Sequence, residues 1–317
     1  LDHGCLSDHV EGATLVDGRG HIRQIPAGDP RLDGLRLSLG RLGVLTSLTL
    51  RTAPACDLRE ERARVPLDGA AEALRQAATE VPFAKLWWLP GRPHALLYRY
   101  SRIPGQRRGT GWPQRLLDRA VNGAVFPGLL ALGRATPTVI PSINRLVDGV
   151  HLTPGTREAP FREALTLPMP PRHQETEWAV PLDRAEEAWA LVRRLVRDRP
   201  LDFILELRLV PASPAWLAPS HDGARLHLGI YATWAPWRDA VFTETAEAML
   251  ALDGRPHWGK AGASAAWRAT WPGRAAFREL VDTLDPDGRF AHATIDAALE
   301  GRAQKVDGTM ASDSARS

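Results

Sequence analysis

The run Phe203-Ile204-Leu205-Glu206-Leu207-Arg208-Leu209-Val210 constrains this chain more than any other segment. Successive side chains of a strand point to opposite faces, so Leu205, Leu207 and Leu209 share one face while Glu206 and Arg208 share the other. Buried charge is costly unless it is paired, so this carboxylate and guanidinium must each meet a partner or face a cleft. Two readings follow: a surface-facing strand with a cross-strand ion pair, or the polar floor of a binding site. A second strand over Arg225–Trp234 sharpens the choice, because His227, Gly229, Tyr231 and Thr233 alternate with Leu226, Leu228, Ile230 and Ala232. Antiparallel pairing of the two strands lets both polar sets lie on one side of the sheet. Hydroxyls, an imidazole, a carboxylate and a guanidinium then converge, which suits a polyol or sugar needing both donors and acceptors.

The surrounding order is strand, helix, strand, strand, helix: Glu177–Val180, a helix from Asp183 and Glu186 through Val196 with a capping-box-like start, Asp202–Val210, Arg225–Trp234 and Ala240–Leu252. This is a split βαβ arrangement, with helices on one face of an antiparallel sheet. A further helix is expected over Ala275–Leu284. Upstream, Thr14–Val16 and His21–Ile25 read as a hairpin around Asp17-Gly18-Arg19-Gly20, Leu35–Leu39 as a short helix, and Val44–Thr52 as a β-branched strand. Leu67–Thr79 has helical periodicity, and Lys85–Leu89 and Ala95–Tyr100 read as strands. Residues 101–160 are rich in Gly and Pro and read as irregular, with one or two helices. No internal repeat is visible, and the small polar tail from Gly301 is expected to fray.

With 317 residues, 44% hydrophobic and 24% charged, the chain is globular in composition. Lys+Arg 40 against Asp+Glu 37 leaves a formal charge of only +3, without a basic block interleaved with aromatics, so nucleic acid is not an expected partner. Cys5 and Cys56 are too few for a disulfide framework or a four-Cys metal site, and a reducing, cytoplasmic setting is expected. The long uncharged stretch Ala120–Gly133 falls short of the roughly 20 apolar residues of a membrane span. It reads either as a buried hairpin or as a segment lying on a membrane surface, so peripheral association stays open. His257 lacks a second ligand at metal spacing. Lys260, in Arg255-Pro256-His257-Trp258-Gly259-Lys260, is either a solvated lysine or one fixed in an aromatic-lined turn. Gly40-Arg41-Leu42-Gly43-Val44 precedes a strand rather than opening a helix after one. It therefore reads as a tight turn and not as a dinucleotide fingerprint.

Five segments together resemble the aldonolactone oxidase family, the group of D-arabinono-1,4-lactone, L-gulonolactone and alditol oxidases among the vanillyl-alcohol-oxidase-type flavoproteins. They are His3-Gly4-Cys5-Leu6-Ser7-Asp8-His9-Val10, Leu39-Gly40-Arg41-Leu42-Gly43-Val44-Leu45-Thr46, Glu206-Leu207-Arg208, His257-Trp258-Gly259-Lys260 and Leu284-Asp285-Pro286-Asp287-Gly288-Arg289-Phe290. The resemblance implies an α+β chain: the C-terminal half of a PCMH-type FAD-binding domain (1–55), a substrate cap with an antiparallel sheet and ferredoxin-like elements (56–300), and a disordered tail (301–317). It implies FAD along Gly4, Cys5, Leu6 and Ser7, with Gly43 and Val44 near the adenosine end. Glu206 and Arg208 would bind substrate hydroxyls beside the flavin, and Lys260 would stabilise the anion formed on its reduction. A family threonine maps to Thr233 by the Trp234 anchor and to Tyr231 by residue count. The implied reaction oxidises a CH–OH group of an aldonolactone or sugar alcohol, with dioxygen as acceptor. A quinone- or cytochrome-linked dehydrogenase and an inactive sugar-binding cap are the alternatives. Because the sequence opens at Leu1 beyond the family's first flavin subdomain, it is expected to be a C-terminal portion of such an enzyme.

Overall fold

The computed structural model describes residues 4–105, 109, 116, 120–166, 172–233 and 237–303. Its larger sheet has eight antiparallel strands in the order β11-β8-β10-β9-β5-β6-β4-β7. Here β4 is Asp57–Pro66, β5 Phe83–Trp88, β6 His94–Ile103, β7 Gly155–Pro160, β8 Gln174–Pro181, β9 Leu205–Val210, β10 Arg225–Ala232 and β11 Arg255–Pro256. Two strand–helix–strand–strand units supply its centre: β4, helix Ala70–Glu80, β5, β6 and then β8, helix Ala185–Val196, β9, β10. They meet through β5 and β9, with Leu86 opposite Leu207. The duplication is thus one of topology, and no sequence repeat accompanies it. β4 and β7 were both missed in the sequence, since β4 carries charges on most outward positions and β7 starts at Gly155.

The alternation read in the sequence decides which face is buried. Leu205, Leu207, Leu226, Leu228, Ile230, Trp178 and Val180 are fully covered, packed against Ala70–Glu80, Ala185–Val196 and Arg238–Leu250. Each large side chain taken out of water there contributes about 1.5–3 kcal/mol. On the opposite face a second cluster, Leu58, Trp87, Leu96, Tyr98, Leu152 and Ala159, covers the β6–β4–β7 end. The β8–β10–β9–β5 end presents polar side chains on that face, and a cavity lies over it.

A second sheet of three strands, in the order β2-β1-β3, is formed by β1 Val10–Val16, β2 Ile22–Ile25 and β3 Val44–Leu50. The expected hairpin is present, with Val16 opposite Ile22. The short helix is Arg31–Leu35 rather than Leu35–Leu39, because the chain turns after Leu37 and Leu39 takes a left-handed φ of 52°. The helices Arg274–Leu284 and Ala293–Glu300 return to this sheet. Phe277, Leu280, Leu284, Ile295 and Leu299 share a core with Leu15, Ile25, Leu32 and Leu42, so packing does not follow the division expected at residue 55. The helix after Asp183 starts at Ala185 behind a 3₁₀ turn and has no side-chain cap. Within 101–160, where one or two helices were expected in otherwise irregular chain, two α-helices of ten or more residues, Phe126–Ala135 and Ile140–Val150, are present among the described residues, and Val125 just before the first and Leu132, Leu146 and Val150 on them are exposed. No helix among the described residues is long and apolar enough to cross a membrane. The expected tail from 301 lies outside the described residues beyond 303.

Candidate active site

β9 and β10 pair in the register that the polar alternation requires. Arg208 stands opposite His227 and Glu206 opposite Gly229, so all four share the face away from the helices. β8 continues that face with Glu177 beside Gly229 and Glu175 beside Tyr231. β5 extends it on the other side with Lys85 beside Arg208 and Trp87 beside Glu206. The result is a cavity of about 660 Å³ whose lining includes Gly4, Cys5, Lys85, Trp87, Glu175, Glu206, Arg208, Tyr231 and Lys260. Residues from position 4 to position 260 are therefore brought to one hollow.

The polar groups are fixed by one another. Arg208 Nε forms an ion pair with Glu206 Oε1 at 3.0 Å, and its terminal nitrogen donates to Glu177 Oε2 at 3.1 Å. The other oxygen of Glu177 pairs with His227 Nδ1 at 2.8 Å, and the indole N–H of Trp87 donates to Glu206 Oε2 at 2.5 Å. Lys85 Nζ lies 3.9 Å from the Trp87 ring centre and 4.0 Å from Glu206. Lys260 donates to Glu175. Its turn is laid on β8 by the backbone, since His257 N–H donates to the Glu177 carbonyl and Ala261 N–H to that of Glu175, each at 2.9 Å. Arg255, buried at the start of this turn, bonds both oxygens of Asp222 and the Thr270 and Pro219 carbonyls. Trp258 donates to the Leu217 carbonyl and stacks on Trp271 with ring centres 4.5 Å apart.

Electrostatics follow from this packing. Burial alone would raise Glu177, but the His227 hydrogen bond and the Arg208 charge outweigh it and hold the carboxyl at about 2. Burial would weaken protonation of Arg208, yet Glu206 and Glu177 raise its pKa above the ordinary value. Lys85 is lowered by burial, against the opposing pull of Glu206. Burial, then the Glu206 charge, push the Tyr231 phenol up, so it stays a neutral donor. His257 is lowered by burial, with Lys260 and His227 adding to the effect.

Of the residues expected at the site, Glu206, Arg208, Tyr231, Lys260, Gly4 and Cys5 line the cavity. Thr233 does not: β10 ends at Ala232, and the Thr233 hydroxyl and N–H are both given to the buried carboxylate of Asp202. Leu6 is exposed and faces a neighbouring cavity with His9, Arg51 and Phe161, and Ser7 lies in the same short 3₁₀ turn. Gly43 and Val44 sit apart at the start of β3, where Gly43 has φ 140° and a Cβ would lie 2.4 Å from the Val16 carbonyl oxygen. The turn therefore needs glycine for packing. Lys85, Trp87, Glu175 and Glu177 were missed. Glu175 and Glu177 flank Thr176 just before Trp178, the same two-residue alternation that exposed Glu206 and Arg208, so that pair was within reach of the sequence.

Known proteins resemble this chain over most of its length. The family model described as D-arabinono-1,4-lactone oxidase matches residues 48–297. The L-gulono-1,4-lactone dehydrogenase of Mycobacterium tuberculosis is 28% identical over 290 residues, spanning 90% of this chain and 67% of that protein. The alditol oxidase of a Streptomyces species is 30% identical over 312 residues, 95% of this chain and 70% of that one. Among solved structures, a solvent-stable cholesterol oxidase superposes with a TM-score of 0.69 at 18% identity, covering 93% of this chain and 70% of its own. A xylooligosaccharide oxidase from Myceliophthora thermophila, solved with xylobiose, reaches 0.57 at 11% identity, covering 92% and 68%. These two likenesses are of fold.

Proposed function

The chain belongs to the D-arabinono-1,4-lactone oxidase family of oxidoreductases acting on CH–OH donors, and from that premise we propose that its cavity oxidises a hydroxyl-bearing carbon of an aldonolactone or sugar alcohol with FAD as cofactor. The observation that carries this reading is the convergence of Gly4, Cys5, Glu206, Arg208, Tyr231 and Lys260 on one hollow. FAD, when bound, supplies the hydride acceptor, and dioxygen is the proposed terminal oxidant. Gly4 and Cys5 would run along its ring system, and Lys260 would face it with a cation. The lining fits in charge, because a flavin ring edge presents acceptors and Lys260 brings an ammonium, held by Glu175, to the hollow, while the Cys5 N–H is given to Asp8 Oδ2.

The protein's own work is binding and orientation. Arg208 is clamped on two sides, so its remaining N–H groups are aimed without further ordering and can hold a substrate hydroxyl. Glu206 would accept a hydroxyl hydrogen beside the reacting carbon, while the neutral Tyr231 phenol, turned towards Glu175, would offer its oxygen to another hydroxyl. Trp87 and Ile204 form the wall between this cavity and a neighbouring apolar one.

The test is turnover of an alditol and aldonolactone panel by the FAD-loaded protein, followed both by oxygen consumption and with a quinone or cytochrome acceptor. Arg208→Met is expected to lower kcat/KM by roughly 10²–10³-fold, as for loss of one charged donor at a reacting centre. Full activity of that variant, or a flavin-loaded protein inert towards the panel, counts against the reading. Turnover with a quinone or cytochrome but not with dioxygen would reassign the acceptor, as the dehydrogenase name of the mycobacterial relative suggests.

A further inference from the structure

β8 supplies counter-ions to two of the three cations at the cavity. Glu175 takes Lys260 and Glu177 takes Arg208, while Glu206 holds the other side of Arg208 and lies 4.0 Å from Lys85. Three carboxylates thus cancel three cations, and no positive charge among them is left over for an anionic ligand. Glu175 has a further property. Its side chain is nine-tenths buried and lines the cavity, yet among the described residues its Oε1 has no partner within hydrogen-bond geometry, the adjacent Tyr231 phenol being the donor that the carboxylate faces. That oxygen lies over Gly229, 3.2 Å from where a Cβ would stand, so the missing side chain on β10 makes room for it. A buried acceptor without a donor carries a desolvation cost that a ligand hydroxyl can relieve.

We propose that Glu175 sets the charge preference of this cavity. It selects neutral polyhydroxylated ligands, accepting a hydroxyl hydrogen at Oε1, and turns away sugar acids and sugar phosphates by cancelling Lys260. The proposal rests on the polyol or lactone reading above and makes its substrate class narrower. An anion entering the hollow meets Glu175 as a near like charge, and two unit charges about 6 Å apart at a partly wetted site change a binding constant by about 100-fold.

The experiment is calorimetric binding of a six-carbon alditol and of the matching six-carbon aldonate to the FAD-loaded protein, its Glu175→Gln variant and a Glu61→Gln variant. Glu61 is exposed on β4 and removes the same charge at a distance from the hollow. The parent protein is expected to bind the alditol at least about tenfold more tightly than the aldonate. Glu175→Gln should tighten aldonate binding by roughly 10- to 100-fold and leave the alditol equal or weaker, whereas Glu61→Gln should change neither. A gain in affinity cannot arise from misfolding. Aldonate affinity within twofold of the parent in Glu175→Gln overturns the proposal, as does equal affinity of the parent for both ligands. Should the parent bind no neutral ligand, the polyol reading fails, and the aldonate gain still decides the role of Glu175. Binding without oxidation defeats the catalytic reading and leaves the charge preference standing.

Discussion

Glu177 shows how much a single side chain can fix. One oxygen orders His227, the other orders Arg208, and its carbonyl anchors the turn that carries Lys260. Its folded pKa, about 2, lies below the ordinary value of 4.5. A carboxyl depressed in this way contributes stability above its unfolded pKa and loses it as pH falls through the folded one. The contribution is on the order of 3 kcal/mol and disappears between about pH 4.5 and 2. Thermal melts over that window should show a shallower fall for Glu177→Gln than for the parent protein, and parallel curves would refute the linkage. His227 and Glu177 escaped notice as a pair because they come from different strands, 50 residues apart, and only the β8–β10 register brings them together.

At the scale of elements, alternation was the readable signal. The polar faces of β9 and β10 were legible because a fully buried opposite face leaves Leu and Ile at every second position. Thr233 fell outside the same logic: one residue past the strand, alternation no longer says where a side chain points. Asp183 misled in a similar way, since a capping sequence forms a cap only where the backbone enters the helix directly, and here a 3₁₀ turn intervenes. The Gly40–Gly43 segment was read as a tight turn, and in the fold it brings Gly43 against the Val16 carbonyl. Gly43→Ala should cost about 1–3 kcal/mol, from its φ of 140° and the clash with a carbonyl that cannot move aside. Denaturant midpoints measure this; an unchanged midpoint would mean that β3 has slipped rather than strained.

At the scale of the whole molecule, two motifs far apart in the chain turn out to be one structural joint. Arg41, nearly buried, donates to Asp285 Oδ2 at 2.8 Å and to Asp296 Oδ1 at 2.7 Å. Asp285 in turn accepts from the Arg289 and Phe290 N–H groups, and Gly18 N–H donates to the Leu284 carbonyl at 2.7 Å. The closing motif thereby ties the last two helices to the first sheet. Asp285→Ala leaves a buried guanidinium with one partner fewer, which typically costs about 3–5 kcal/mol. Limited proteolysis should then cut the chain within 274–300 well before the eight-stranded sheet opens. Simultaneous loss of both regions would show instead that the two sheets unfold as one unit.

The sequence by itself determined the strands of the active face, the helical cover behind it and the family to which they belong, because burial of a sheet imprints a two-residue period and burial of a helix a 3.6-residue one. It also supplied Glu206, Arg208 and Lys260. Which groups neutralise those three, and which of Thr233 and Tyr231 reaches the cavity, depended on strand register, strand ends and contacts between residues far apart in sequence. Periodicity is a local property and carries no record of what stands opposite, so only the tertiary structure could decide that the cavity is balanced in charge and that the last two helices are joined to the first sheet.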